Sequence, residues 1–137
     1  MAIDPLPERA LQDALSALSV ACTEHSDLVV VALEGDLDIY TTARFRERVR
    51  HYDPAEVQMV IDLAKVGLLD SAGLGALVSL RNEARRGGTP LGIVCPDGRM
   101  VRLFWATGLR SAFILADDLA GVRAALPSSR QGPAGGS

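Results

Sequence analysis

Residues 57–63, Val-Gln-Met-Val-Ile-Asp-Leu, form an apolar run broken only by Gln58 and Asp62. A strand with one solvated face alternates apolar and polar residues, whereas a near-continuous run suits a strand covered on both faces. Helix-period segments flank it. In residues 41–52, Phe45, Val49 and Tyr52 (i, i+4, i+7) share a face, and Arg44, Arg46, Glu47, Arg48 and Arg50 take the rest, before Asp53-Pro54 closes the segment. Residues 71–86 read as a second amphipathic helix, stopped by Gly87-Gly88 because glycine accepts the left-handed C-terminal conformation without steric cost. A covered strand between two such helices predicts an α/β domain with parallel crossovers.

The remaining segments extend that pattern. Strands are predicted over residues 20–24 and 28–33, joined by a turn at Ser26-Asp27, with Glu34-Gly35-Asp36 ending the second. Residues 91–95 read as another strand. Residues 98–107 read as a helix with Val101, Phe104 and Trp105 on its core face and Gly108 as terminator. A last short strand over 112–115 and a last helix over 117–126, with Asp117 as N-cap, complete the order β-β-α-β-α-β-α-β-α. Ahead of these, Leu11, Ala14, Leu15 and Leu18 fall at helical spacing. The expectation is one α/β domain at residues 20–126, a mixed sheet of about five strands with about four helices. A short helical extension at residues 1–19 precedes it, and a Pro/Gly/Ser-rich disordered tail at 127–137 follows.

Composition narrows the function classes. The net charge of −3 gives no global positive field, which argues against direct nucleic-acid binding. No apolar run approaches the roughly 18 residues of a membrane span. Cys22 and Cys95 lie in apolar, strand-like surroundings, and no signal peptide is visible, so two buried free thiols in a cytoplasmic protein are expected. No His/Cys/carboxylate cluster has metal-ligand spacing, and no cofactor is expected.

The chemistry-bearing stretch is Asp70-Ser71-Ala72-Gly73-Leu74-Gly75, at the junction of the apolar strand and the second helix. Unpaired N–H groups and the positive end of the helix dipole favour negative charge there. Ser71 is expected to cap the helix, and a phosphate added to it would be electrostatically welcome. Gly73 and Gly75 lack a Walker lysine, so they are expected to let the helix start pack closely on the sheet rather than cradle a nucleotide. A serine nucleophile needs a base, and neither His25, in a turn, nor His51, at a helix end, is suitably placed. The Leu-Asp-Ser-Ala-Gly context also lacks the first glycine of a hydrolase elbow. Catalysis is not expected. Trp105 and Phe104 are read as core, and the arginine-rich helix as a solvated face.

These residues resemble a known family. Leu33-Glu34-Gly35-Asp36-Leu37-Asp38, Val60-Ile61-Asp62-Leu63, Leu69-Asp70-Ser71-Ala72-Gly73-Leu74-Gly75-Ala76-Leu77, Gly87-Gly88 and Phe104-Trp105-Ala106-Thr107-Gly108-Leu109 follow, in order, the segments of STAS domains, the family of bacterial anti-sigma factor antagonists. The resemblance covers residues 20–126 and implies a small α/β sandwich with a mixed sheet. It also implies that Ser71 is the phosphoacceptor of a partner serine/threonine kinase that is itself the anti-sigma factor. The unphosphorylated antagonist would hold that kinase and free the sigma factor, phosphorylation would release the antagonist, and a phosphatase would reset it. ATP would be bound by the kinase. Asp38 and Asp70 would flank the partner surface, with Ala72, Gly73 and Leu74 at the start of the second helix. Ala72 stands where many members carry a second serine, which leaves Ser71 as the sole acceptor in the loop. The other function the resemblance allows is a constitutive adaptor subunit of a sensory complex or a membrane lipid transporter. The extension before Val20 is longer than the minimal domain needs and leaves a homodimer contact open.

Overall fold

The computed structural model describes residues 18–127. Leu11, Ala14 and Leu15 of the expected N-terminal helix, and residues 128–137 of the expected tail, lie outside them. Five strands form one sheet in the order β1-β2-β3-β4-β5: β1 Leu18–Glu24, β2 Val29–Leu37, β3 Met59–Leu69, β4 Gly92–Val94 and β5 Ile114–Ala116. β1 runs antiparallel to β2, and every other pair is parallel. Four helices connect them: α1 Thr42–Val49, α2 Ser71–Arg86, α3 Gly98–Ala106 and α4 Leu119–Ala125. The mixed sheet and the element order are those expected.

The buried strand at the centre explains the two cores. On one face, Val29, Val31, Leu33, Ile61, Leu63 and Ile93 meet Phe45 and Val49 of α1, Leu74, Leu77 and Leu80 of α2, and Phe104 of α3. On the other face, Leu28, Val30, Val60 and Val94 meet Val122 of α4. Phe104 also packs edge-on to Phe113 with ring centroids 5.6 Å apart, a geometry that contributes ~1 kcal/mol beyond its buried area. Gln58, buried at the start of β3, donates to the Pro90 carbonyl at 2.7 Å and ties that end of the sheet to the approach to β4.

Several local expectations are corrected. Leu18 belongs to β1 rather than to a helical stripe. The Glu34-Gly35-Asp36 segment is not the end of β2 but a bulge within it. Register shifts against β3 between Ala32 and Glu34 and between Gly35 and Asp36, and Gly35 sits at φ 113°, a conformation open to glycine. β3 runs on past Leu63 to Leu69 because backbone pairing with β2 continues where the apolar pattern stops. α1 ends at Val49, so Tyr52 lies outside it and instead donates its hydroxyl to Glu24 at 3.0 Å. Residues 110–112 form a 3-10 turn ahead of β5. The N-cap of α4 is Asp118, not Asp117, with its carboxylate accepting from the Gly121 N–H at 2.7 Å. Trp105 is 59% exposed, and Arg110 lies over its ring at 4.4 Å. One residue beyond Phe104 is a 100° step around the helix, which takes Trp105 off the face centred on Met100 and Phe104.

Candidate functional site

The carboxyl ends of β2 and β3 lie side by side, with Leu37 paired to Leu69. Each strand then leaves the sheet through an aspartate. After β2 comes Asp38, whose Oδ1 accepts from the N–H groups of Tyr40 at 2.9 Å and Thr41 at 3.1 Å. This is the local turn that a short carboxylate side chain makes with its own backbone. Thr41, 1% exposed, fixes the loop from inside. Its hydroxyl donates to the Asp36 carbonyl at 2.8 Å and accepts from the Asp38 N–H at 2.9 Å.

After β3 comes Asp70, the N-cap of α2. Oδ1 accepts from the Gly73 N–H at 2.9 Å, while Oδ2 accepts from the Ile39 N–H at 3.1 Å across the loop. The Asp70 N–H donates to the Leu37 carbonyl at 3.3 Å. One side chain therefore caps a helix and joins the two loops. The expected cap assignment is corrected accordingly: Asp70 caps, and Ser71 is the first residue of the helix. Ser71 is exposed, so its hydroxyl is presented to solvent at the positive end of a sixteen-residue helix.

Sequence reasoning placed Asp38, Asp70, Ser71, Ala72, Gly73 and Leu74 together, and the fold does gather them at one end of the sheet. Their exposure differs. Ala72 is half-buried, Gly73 is buried, and Leu74 is a core residue at 6% exposure, so Gly73 and Leu74 offer no side chain to a partner. A Cβ at Gly73 would meet the Leu37 carbonyl oxygen at 2.3 Å and Leu69 Cδ1 at 2.8 Å, which accounts for glycine there. Gly75 faces open space, so close packing does not explain it.

Two residues escaped sequence reasoning. Ile39 is 68% exposed and Tyr40 74%, on the loop hydrogen-bonded to Asp70. Leu68, at 49%, adds a third large exposed apolar side chain just before Asp70. The signal was an apolar pair between a strand end and a helix start, belonging to neither period. Among the described residues no group of His, Cys, Asp or Glu is arranged to hold a metal ion, and no helix is long and apolar enough to cross a membrane.

Comparison with known proteins decides the family. The STAS domain model matches residues 19–122. An anti-sigma-B factor antagonist of Listeria monocytogenes is 34% identical over 88 residues, covering 64% of this chain and 75% of the relative. The chain belongs to the STAS domain family. A solved anti-sigma factor antagonist from Mycobacterium paratuberculosis has a similar STAS-type fold, with a TM-score of 0.68 at 26% identity over 82% of this chain and 98% of that one. The Bacillus cell fate determinant SpoIIAA in its phosphorylated form shares the fold alone, with a TM-score of 0.59 at 17% identity over 77% of this chain and 98% of that one. In this STAS domain the family segments quoted above build the two aspartate-led loops, and the exposed serine stands between them.

Proposed function

We infer that this STAS domain is an anti-sigma factor antagonist whose binding is switched by phosphorylation of Ser71. Its partner is an anti-sigma serine/threonine kinase, and a phosphatase resets it. The observation that carries the reading is the exposed Ser71 at the first position of α2, next to a hydrogen-bonded loop that displays Ile39 and Tyr40. The relatives named anti-sigma-B factor antagonists support it. Ser71 serves as substrate and switch, and the chain acts as a binding module in the cytoplasm rather than as an enzyme. The folded unit, expected at residues 20–126 between an extension at 1–19 and a tail at 127–137, is taken to begin at Leu18, the first residue of β1.

Charge supplies the mechanism. A phosphoserine carries about −1.5 to −2 at pH 7. In the free protein the N–H groups and dipole of α2 offset that charge. Against a closely packed partner it would stand beside Asp70 and Asp38, where repulsion and desolvation oppose the complex. The fold persists because Asp70, not Ser71, makes the cap. One modification thus breaks an interface and leaves the domain intact.

The test is to purify the chain from its native cells and map phosphate by mass spectrometry on the peptide containing Ser71. Phosphate on Ser71, lost from the Ser71→Ala chain, supports the switch. A chain without phosphate there under all growth and stress conditions contradicts it and favours a constitutive adaptor.

A further inference from the structure

Among the described residues four large apolar side chains are exposed. Ile39, Tyr40 and Leu68 belong to the Ser71 end of the sheet; Trp105 does not. It lies in the last turn of α3, which runs back from the carboxyl end of β4 towards the start of β5. α2 runs the same way, so its last turns also reach the amino ends of the strands, where Gln58 at the start of β3 bonds the Pro90 carbonyl. An open groove of about 390 Å³ lies at this end. Arg81 and Arg85 of α2 wall one side, Ser111 and Ala112 of the 3-10 turn the other, and the link 88–90 into β4 joins them.

Charge sorts this groove from the rest of the surface. The cleft between α1 and α2 also holds arginines, Arg46, Arg50 and Arg86, but Asp53 and Glu83 line it with them. No described aspartate or glutamate lines the groove, and among the described residues none forms an ion pair with Arg81, Arg85 or Arg110. The negative end of the α2 dipole favours a cation there, but it is worth about half a charge against two guanidiniums on one wall. Arg110, the residue before Ser111, lies over the Trp105 ring at 4.4 Å. A guanidinium stacked on a ring keeps its in-plane N–H donors for a carboxylate. Tryptophan and arginine are also the side chains most enriched among those that dominate binding energy.

Three arginines beside an exposed indole call for carboxylates next to an apolar side chain. A long polyanion fits poorly, since the net charge of −3 repels it. A short segment feels only the local arginines, because charges beyond ~8 Å are screened at physiological ionic strength. An open groove also suits a length of chain better than a small molecule, which binds where most of its surface is enclosed. We propose that the groove between the end of α2 and the 3-10 turn, with the Trp105–Arg110 pair beside it, binds an acidic segment of a second protein partner. From Ser71 to Arg85 along α2 is ~21 Å at ~1.5 Å per residue. A phosphate on Ser71 is therefore screened from the groove, and the domain can hold one partner at each end.

The test is an NMR titration of the isotope-labelled full chain with a synthetic probe peptide, Gly-Asp-Glu-Phe-Asp-Glu-Gly, and with a counterpart carrying lysine in place of each acid. The expected result is saturable shifts at Arg110, Ser111 and the Trp105 indole N–H with the acidic peptide, and none with the lysine peptide. Arg81→Glu combined with Arg85→Glu is expected to weaken binding about tenfold or more, as is Trp105→Ala, with amide shifts elsewhere unchanged. Ser71→Glu is expected to bind the peptide as the parent does. Equal affinity in the double-glutamate chain, shifts centred on α1 or the Ser71 loop, or no saturation at millimolar peptide would overturn the proposal. Inorganic phosphate or phosphatidylserine vesicles that move the same resonances at lower concentration than the peptide would also overturn it, assigning the groove to a small anion or a lipid surface.

Discussion

The Asp70 carboxylate spends one oxygen on the Gly73 N–H and the other on the Ile39 N–H. Asp70→Ala removes both bonds, and a lost cap of this kind costs ~1 kcal/mol. A lower urea midpoint with an unchanged slope is the expected readout. Ser71→Ala, which removes no cap, is expected to leave that midpoint within about 0.5 kcal/mol of the parent. The two glycines beyond it separate in the same assay. At Gly73 a new methyl would collide with the Leu37 carbonyl oxygen, so Gly73→Ala is expected to destabilise by about 1–3 kcal/mol. Gly75 meets open space inside a helix, where Gly75→Ala is expected to stabilise by about 0.5–1 kcal/mol. Sequence could place Asp70 and Ser71 at a strand-to-helix junction because the two periods meet there. It could not tell which of two adjacent capping residues takes the N-cap, since aspartate and serine are nearly equal candidates and backbone dihedrals decide.

Among the elements, those with a strong period were read most faithfully: α2 has the bounds its apolar pattern and Gly87-Gly88 predict. The sequence predicts β3 short because, past Leu63, only Val66 and Leu69 turn into the core and exposed residues between them break the period, while pairing to β2 carries the strand on. Gly35 was read as a stop because glycine marks both turns and bulges, and only the partner strand distinguishes them. β4 and its continuation carry a further prediction. Burial, reinforced by the negative charges of Asp97 and Asp117, pushes the Cys95 thiol from 9.0 up to about 11, although a backbone hydrogen bond with Asp97 pulls the other way. Between those values the folded chain keeps a proton that the unfolded chain gives up. The stabilisation is therefore complete below pH 9.0 and is lost as pH rises towards about 11. Urea midpoints are expected to fall across that interval, and to fall less steeply in Cys95→Ala.

At the scale of the molecule, the sheet carries its chemistry at the end where β2 and β3 finish. Asp70 leads into Ser71 there, and the loop that the Asp38 and Asp70 carboxylates hold displays Ile39 and Tyr40. Exposed side chains of that size contribute little to folding and much to binding when a partner desolvates them. Ile39→Ala and Tyr40→Ala are thus expected to melt like the parent while losing about tenfold or more in partner capture, measured by titrating each chain against the captured kinase. The fold, the strand-to-helix junction and the serine were legible because they rest on period and motif. The apolar tip was not, because its significance comes from what the fold leaves uncovered.

The central claim is that charge at Ser71 decides whether the partner stays bound. Its most direct test is a pull-down from native lysate with two baits, Ser71→Ala and Ser71→Glu, read by mass spectrometry. The expected result is an anti-sigma serine/threonine kinase enriched by the alanine bait and lost from the glutamate bait. Recovery of the same membrane or multi-subunit assembly by both baits would contradict the switch and identify the domain as a constitutive adaptor.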